Sequence, residues 1–254
     1  MNWDVPIADL LAIMLGAART GAFMALAPPF NSRLIPVQVK ALLSVGLTLP
    51  LFPYLRGTVP SLETSDIIFS AALQIFIGAA LGFLVLMLFS ALQAAGDMLD
   101  LFGGFTLATA YDPLSFNQSS VFGRFYNLVA ATILFASEGH QLILRGFLQS
   151  FRTLPLNMTF DLPAFSQLLL KGVGEMFLAA LQIAGPLIAV LFLTDVAFGL
   201  LNRVAPALNA FQLGFPAKIF LVLLLSGLAI TTLPQVIDTI VDRAVTAVLK
   251  LTGG

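Results

Sequence analysis

Residues Ile67 to Leu92 read IIFSAALQIFIGAALGFLVLMLFSAL, with no Asp, Glu, Lys, Arg or Pro among them. A helix crossing the hydrocarbon core of a bilayer needs roughly 20 predominantly apolar residues, and this run exceeds that. Its apolar residues are continuous, whereas barrel strands alternate in stretches of roughly ten, so a spanning helix is expected. Five further candidate spans lie on either side. Asp9–Ala27 is closed by Pro28 and Pro29, and Val39–Leu55 is short and holds Pro50 and Pro53. Phe125–Leu148 follows, then Val173–Leu201 with Pro186 in its middle, then Phe211–Leu233 ended by Pro234. In the tail, residues 235–254, Val236, Ile237, Ile240, Val241, Val245 and Val248 take the spacing of an amphipathic helix.

Composition points the same way. The chain has 254 residues, of which 59% are hydrophobic and 10% charged. A soluble domain carries roughly 45–50% apolar and about 25% charged residues. There is too little polar surface here to cover a globule in water. The sequence therefore predicts an all-α polytopic integral membrane protein, with about six long hydrophobic helices in a single membrane-embedded domain, residues 1–254. A formal net charge of −1 gives no reason to expect nucleic acid. With no Cys, disulfides and thiolate chemistry are excluded. With one His and scattered carboxylates, no metal-ligand spacing arises and no cofactor is expected. Asp97 and Asp100 are the nearest approach to a catalytic carboxylate pair, and capping or solvation explains them more simply. No catalytic residues are expected.

The first apolar segment reads as retained in the protein. Asp4 and Asp9 precede it, Arg19 lies inside it, and Pro28 directly follows the A-x-A-like Ala25-Leu26-Ala27.

Ionisable residues inside apolar segments are costly, roughly 2.5–3.5 kcal/mol each at the bilayer centre, and normally face protein or water. Arg19, Glu138, His140 and Arg145 are the candidates for buried ionisable groups. Glu175 and Asp195 also fall in or near such segments; snorkelling from a helix end is the alternative account of Glu175 and Arg145, and Asp195, seven residues before Asn202, also lies near an end. Across six spans, Arg33, Lys40, Arg124, Arg203 and Lys218 would lie on one side, and Arg56, Arg152, Lys171, Arg243 and Lys250 on the other. That balance leaves the orientation open. It also suggests helices held by partner proteins as much as by lipid. Gly78 and Gly82 form a small-xxx-small pair that permits close helix contact, within the chain or between chains.

Arg-x-x-Pro recurs at Arg33–Pro36, Arg152–Pro155 and Arg203–Pro206, each where an apolar segment ends. Proline stops a helix and arginine can hydrogen-bond the freed carbonyls. Arg124, Asn202, Arg203, Pro206, Gly214, Phe215 and Pro216 are accordingly read as structural joints.

The stretch from Gly96 to Arg124 is too broken for one span. Residues 102–122 are a candidate plug loop, marked by Gly103, Gly104, Phe105, Tyr111, Asp112, Pro113 and Phe116. Irregular backbone at membrane depth survives only where protein or a water-filled path satisfies it, and the aromatic residues disfavour a solvated loop. Apolar side chains on flexible glycines can block a conduit and still move aside.

The run Gly104 to Pro113, then Arg124, Glu138-Gly139-His140 and Phe151 to Pro155, resembles the central region of the FliR family of flagellar biosynthesis proteins. That family also includes the type III secretion export-gate subunit of injectisomes. Gly199 to Pro206 and Gly214 to Pro216 resemble its late motifs. Arg19, Ala27-Pro28 and the turn from Pro36 to Lys40 resemble its opening segments. The similarity extends from about residue 10 to 235. Glu138 departs from the family, which more often places Asn before Gly-His.

The resemblance implies an export-gate subunit that joins FliP- and FliQ-type subunits, with an FlhB-type subunit associated, in a helical assembly. It implies a place in the bacterial inner membrane, at the flagellar basal body. Unfolded flagellar proteins would pass through the centre, and the loop of residues 102–122 would plug it. A small-solute transporter is the rival from another class, and the injectisome branch is the rival within the family.

Overall fold

The computed structural model describes residues 6–106, 120–157, 160–206 and 210–251. Every regular element among them is helical. Helix α1 is Ile7–Leu26 and α2 is Val37–Thr48. A 3-10 turn at Leu49–Leu51, the short α3 at Phe52–Leu55 and a second 3-10 turn at Arg56–Thr58 continue α2. Then come α4 (Thr64–Gly103), α5 (Val121–Ala136), α6 (Gly139–Thr153), α7 (Leu162–Val204) and α8 (Ala210–Leu251). Four of the described helical segments are long and apolar enough to cross a membrane, and a fifth is added if the bent pair Gln212–Gly227 and Ala229–Lys250 is one span. The protein is an all-α polytopic membrane protein.

The helix boundaries differ from the expected ones at three places. The apolar run of residues 125–148 is two helices, broken at Ser137 and Glu138. Glu138 takes a left-handed φ of 58° there. Neither piece reaches the roughly 20 residues of a span. The second piece, α6, is amphipathic: Ile143, Phe147, Ser150 and Phe151 are buried, while Arg145, Gln149 and Arg152 are exposed. Among the described residues, four or five helical segments are thus long and apolar enough to span, where six apolar runs can be read.

The run beginning at Ile67, which reads as continuing past Leu92 into Gln93-Ala94-Ala95-Gly96, extends further than that. It continues as helix to Gly103, because Gln93 to Leu101 holds no proline or glycine pair. Likewise α8 passes through Pro234, where a stop was expected. Proline removes one ladder bond, and burial around it offsets the loss. Leu233, Ile237, Ile240, Val241, Ala244 and Val248 are all at most 4% exposed. The apolar face expected of the tail is thus a buried face of a longer helix. Pro50 and Pro53 occupy first-turn positions of short helical pieces, where the missing N–H costs nothing.

The chain packs as two compact units. One comprises residues 1–88, 138–173 and 240–254; the other comprises residues 89–137 and 174–239. In the first unit α1 lies backbone-to-backbone on α4. A Cβ on Gly82 would stand 2.8 Å from the Phe23 carbonyl oxygen, and one on Gly78 would run into the Arg19 carbonyl. The small-xxx-small pair therefore works within the chain, letting α1 seat where larger residues would hold it off. Phe23 stacks on Phe147 with ring centroids 4.0 Å apart, and Phe147 meets Phe151 edge-on. In the second unit Leu92, Ala95, Leu99, Phe122, Tyr126, Ala180, Ala184, Leu191 and Val222 form the core.

Candidate functional site at the stems of the 102–122 segment

Arg19 is completely buried. Its Nε donates to Gln74 Oε1 at 2.6 Å and its Nη1 to the Leu154 carbonyl at 2.8 Å. The Gln74 amide donates to the Leu156 carbonyl at 3.1 Å. The guanidinium lies 4.4 Å from the centroid of the Phe151 ring. The charge on an apolar helix thus meets a ring face, a side-chain amide oxygen and one backbone carbonyl, contacts of the kind that let such a group sit away from water. Gln74 carried no signal in the sequence beyond being a lone amide in an apolar run.

The other three candidate buried charges are placed differently. Glu138 and Arg145 are exposed and His140 is half-buried. The reason is the break at Ser137 and Glu138, which converts the middle of an expected span into the end of one helix and the polar face of another.

In the second unit the stems of the 102–122 segment are held together by polar bonds. Asp100 is 3% exposed near the end of α4. Its carboxylate accepts from the Ser120 hydroxyl and, at 3.2 Å, from the Phe122 amide. Ser120 Oγ also accepts from the Gly123 amide at 2.7 Å and so caps α5. The carboxylate is therefore satisfied by the orphan donors of the next helix. Asp100 thus acts as a cap for the start of α5. One turn back, Asn127 bonds Gln93, which donates to Asp97 at 2.9 Å. Gly96 and Gly123 let α4 and α5 cross with backbones in contact, since a Cβ on Gly96 would stand 2.5 Å from the Gly123 Cα.

The first stem ends on Gly103 and Gly104. Gly104 has a φ of +84°, which L side chains rarely adopt, and a Cβ there would lie 2.8 Å from Phe215 Cε2. A Cβ on Gly103 would meet Val222 at 2.9 Å. Phe105 packs edge-on to Phe122 with centroids 5.3 Å apart, so the two stems also share an aromatic contact. Tyr111, Asp112, Pro113 and Phe116 lie outside the described residues.

The proposed joints have other surroundings than expected. Gly214, Phe215 and Pro216 sit inside α8 and do not mark a break. Phe215 covers Gly104, while Gly214 faces the Phe198 ring of α7, with a Cβ there placed 3.4 Å from it. Asn202, Arg203 and Pro206 are exposed at the end of α7, where the Ala205 amide closes the last turn by donating to the Leu201 carbonyl at 2.8 Å. Arg124 is exposed in the first turn of α5. Because a backbone amide already closes that end of α7, Arg203→Ala is expected to change stability by no more than ~0.5 kcal/mol. Thermal unfolding of the purified chain measures this, and a large drop would restore the carbonyl-capping role to the guanidinium.

Beside this stem a cleft of about 330 Å³ is lined by Leu101, Phe102, Phe198, Asn202 and Phe215, with Asp195 and Lys218 also on its wall. Lys218 Nζ is 2.5 Å from Asp195 Oδ1. Asp195 stands within α7, short of its end at Val204, and its half-exposed carboxylate is paired with Lys218. The described residues contain no group of three His, Cys, Asp or Glu able to hold a metal. The bonds at Asp100 and Ser120 join the end of α4 to the start of α5.

A family model described as "Bacterial export proteins, family 1" matches residues 10–244. The chain belongs to that family. The flagellar biosynthetic protein FliR of Pectobacterium carotovorum is 33% identical over 214 residues, covering 84% of this chain and 82% of its own. That of Bacillus subtilis is 31% identical over 218 residues, covering 84% of each. The Escherichia coli protein of the same name is 33% identical over 199 residues, covering 78% of this chain and 76% of its own. The match to the export family takes in both stems, Arg19 and the cleft.

Proposed function

We propose that this chain is a subunit of the flagellar type III protein export gate in the bacterial inner membrane, at the basal body. The observation that carries this is its identity of about a third, over roughly four fifths of its length, with proteins named flagellar biosynthetic protein FliR. In this reading it joins FliP-, FliQ- and FlhB-type subunits around a conduit for unfolded flagellar proteins, and the segment between its stapled stems plugs that conduit. It acts without catalysis of its own.

Two physical features support a multi-subunit setting. The segment Val37–Thr58 is apolar, yet among its residues only Ser44, Thr48 and Leu55 are buried within the chain, and Leu34, Val37 and Leu42 are more than 70% exposed. That surface has to meet lipid or another subunit. In addition, α4, α7 and α8 each have 40 or more residues. At 1.5 Å rise per residue such a helix has about twice the rise that a hydrocarbon core of ~30 Å requires. The surplus apolar length calls for protein neighbours.

The test is a deletion strain complemented with this chain. Loss of swimming and of flagellar filaments, restored by the intact gene, is the expected result. Normal swimming with loss of effector secretion would move the chain to the injectisome branch, and normal behaviour in both assays would end the export reading.

A further inference from the structure

Asp195 and Lys218 are each isolated charges in apolar helix. In α8 Lys218 has no other ionisable residue between Ala210 and Ile237, and Asp195 is alone in α7 between Glu175 and Arg203. They find each other at 2.5 Å. The Lys218 ammonium, largely covered, would be costly left alone, so the pair favours one turn of α8 against one turn of α7. Lys218 lies three residues after Phe215 and four before Val222, so all three share one face of α8. On that face Phe215 covers Gly104 and Val222 covers Gly103. About two turns of α8 are therefore held by the ion pair to α7 and, on either side of that pair, by the two glycines that end the first stem. Those glycine contacts have no side-chain interlock, because neither glycine has a side chain to engage. Van der Waals contact with a bare backbone resists sliding weakly, whereas the ion pair ties Lys218, whose side chain is 18% exposed, to one carboxylate on α7.

We infer that the Lys218–Asp195 ion pair is the positioning element that keeps Phe215 seated on Gly104, and thereby fixes where the 102–122 segment leaves α4. Any consequence for transport rests on the export-gate reading above; the positional effect does not. Losing either charge leaves the other unpaired, and that group turns toward the cleft or the surface. The α8 turn shifts with it, Phe215 lifts from Gly104, and the stem loosens. The cleft beside the stem, about 330 Å³ in volume, gives the ring room to move.

The experiment compares the full chain, co-expressed with its partner subunits, with Asp195→Asn, with Lys218→Gln and with the charge-exchanged Asp195→Lys/Lys218→Asp protein. Backbone hydrogen exchange is read at residues 99–106 and 213–219, with α1 as internal control. Each single variant is expected to raise exchange at both sites about tenfold and to leave α1 unchanged, and the exchanged pair to return most of that protection. If a single variant does not accumulate, the doubly neutral Asp195→Asn/Lys218→Met protein, which leaves no unpaired charge, gives the same readout. Unchanged exchange at residues 99–106, an equal rise in α1, or no recovery in the exchanged pair would each overturn the assignment. Ion leakage measured on the same complexes separates the two levels. Looser stems without leakage would keep the positioning role and count against the plug.

Discussion

Arg19→Ala is expected to remove most of the chain from the membrane fraction and to lower the thermal midpoint of what remains by at least ~10 °C. The substitution strips donors from Gln74 Oε1 and from the Leu154 carbonyl, both buried. Leaving a buried polar group unsatisfied costs about 1–3 kcal/mol, and more where the lost bond was charge-assisted. The void beneath Phe151 adds a packing loss. Together these reach ~4–6 kcal/mol, a large share of the roughly 5–15 kcal/mol that holds a domain folded. Arg19→Lys is expected to recover little. An ammonium is a point charge, and it cannot donate along two directions while lying flat on an aromatic ring. Nor should Arg19→Met paired with Gln74→Leu be neutral, because the Leu154 and Leu156 carbonyls belong to the backbone and would remain buried without donors. Yield and unfolding of the detergent-solubilised chain decide the matter. A midpoint within about 2 °C of the parent would mean that the network forms without contributing to stability.

Asp100→Ala is expected to produce the largest functional change. The carboxylate joins the end of α4 to the start of α5 through Ser120 and Phe122. Bonds to an ionised acceptor contribute about 1.5–3 kcal/mol each, so the two stems would lose their main polar link. Ser120 would still cap α5 through the Gly123 amide, so α5 itself should persist. If the segment between the stems seals a conduit, the assembled complex should then leak ions and small solutes while keeping its subunit composition. A charge placed at Phe105, as in Phe105→Asp, should act in the same direction, because it breaks the contact with Phe122 and wets an apolar constriction. Asp100→Asn, which keeps acceptor and shape, should leak less than Asp100→Ala. Tight membranes in cells carrying correctly assembled Asp100→Ala and Phe105→Asp complexes would locate the seal on another subunit.

Much of the molecule could be read from residue order. Uninterrupted apolar runs required helices, because in hydrocarbon each backbone N–H and C=O must be satisfied within its own segment. The spacing of Gly78 and Gly82 announced a close helix contact, and α1 makes it. The spacing from Ile237 to Val248 announced one buried face, and that face is buried. Aromatic residues and glycines singled out the 102–122 segment, and the order of its motifs pointed to the export family.

Tertiary structure alone decided the rest. Hydropathy cannot tell a span from two short helices, so the break at Glu138 and the exposure of Arg145 became visible only once α6 had a packing partner. A proline reads as a stop in sequence, yet Pro234 is carried through by the burial of Leu233 and Ile237 on either side. Arg19 looked like an anomaly because its partners lie 55 and 135 residues away. Gly-Phe-Pro looked like a joint because nothing local connects Phe215 to Gly104, and Lys218 likewise meets Asp195 on another helix. Helix formation is a local matter of backbone satisfaction, and periodicity records it. The partner of each lone charge or bare glycine is set by how helices pack, and no local pattern contains that.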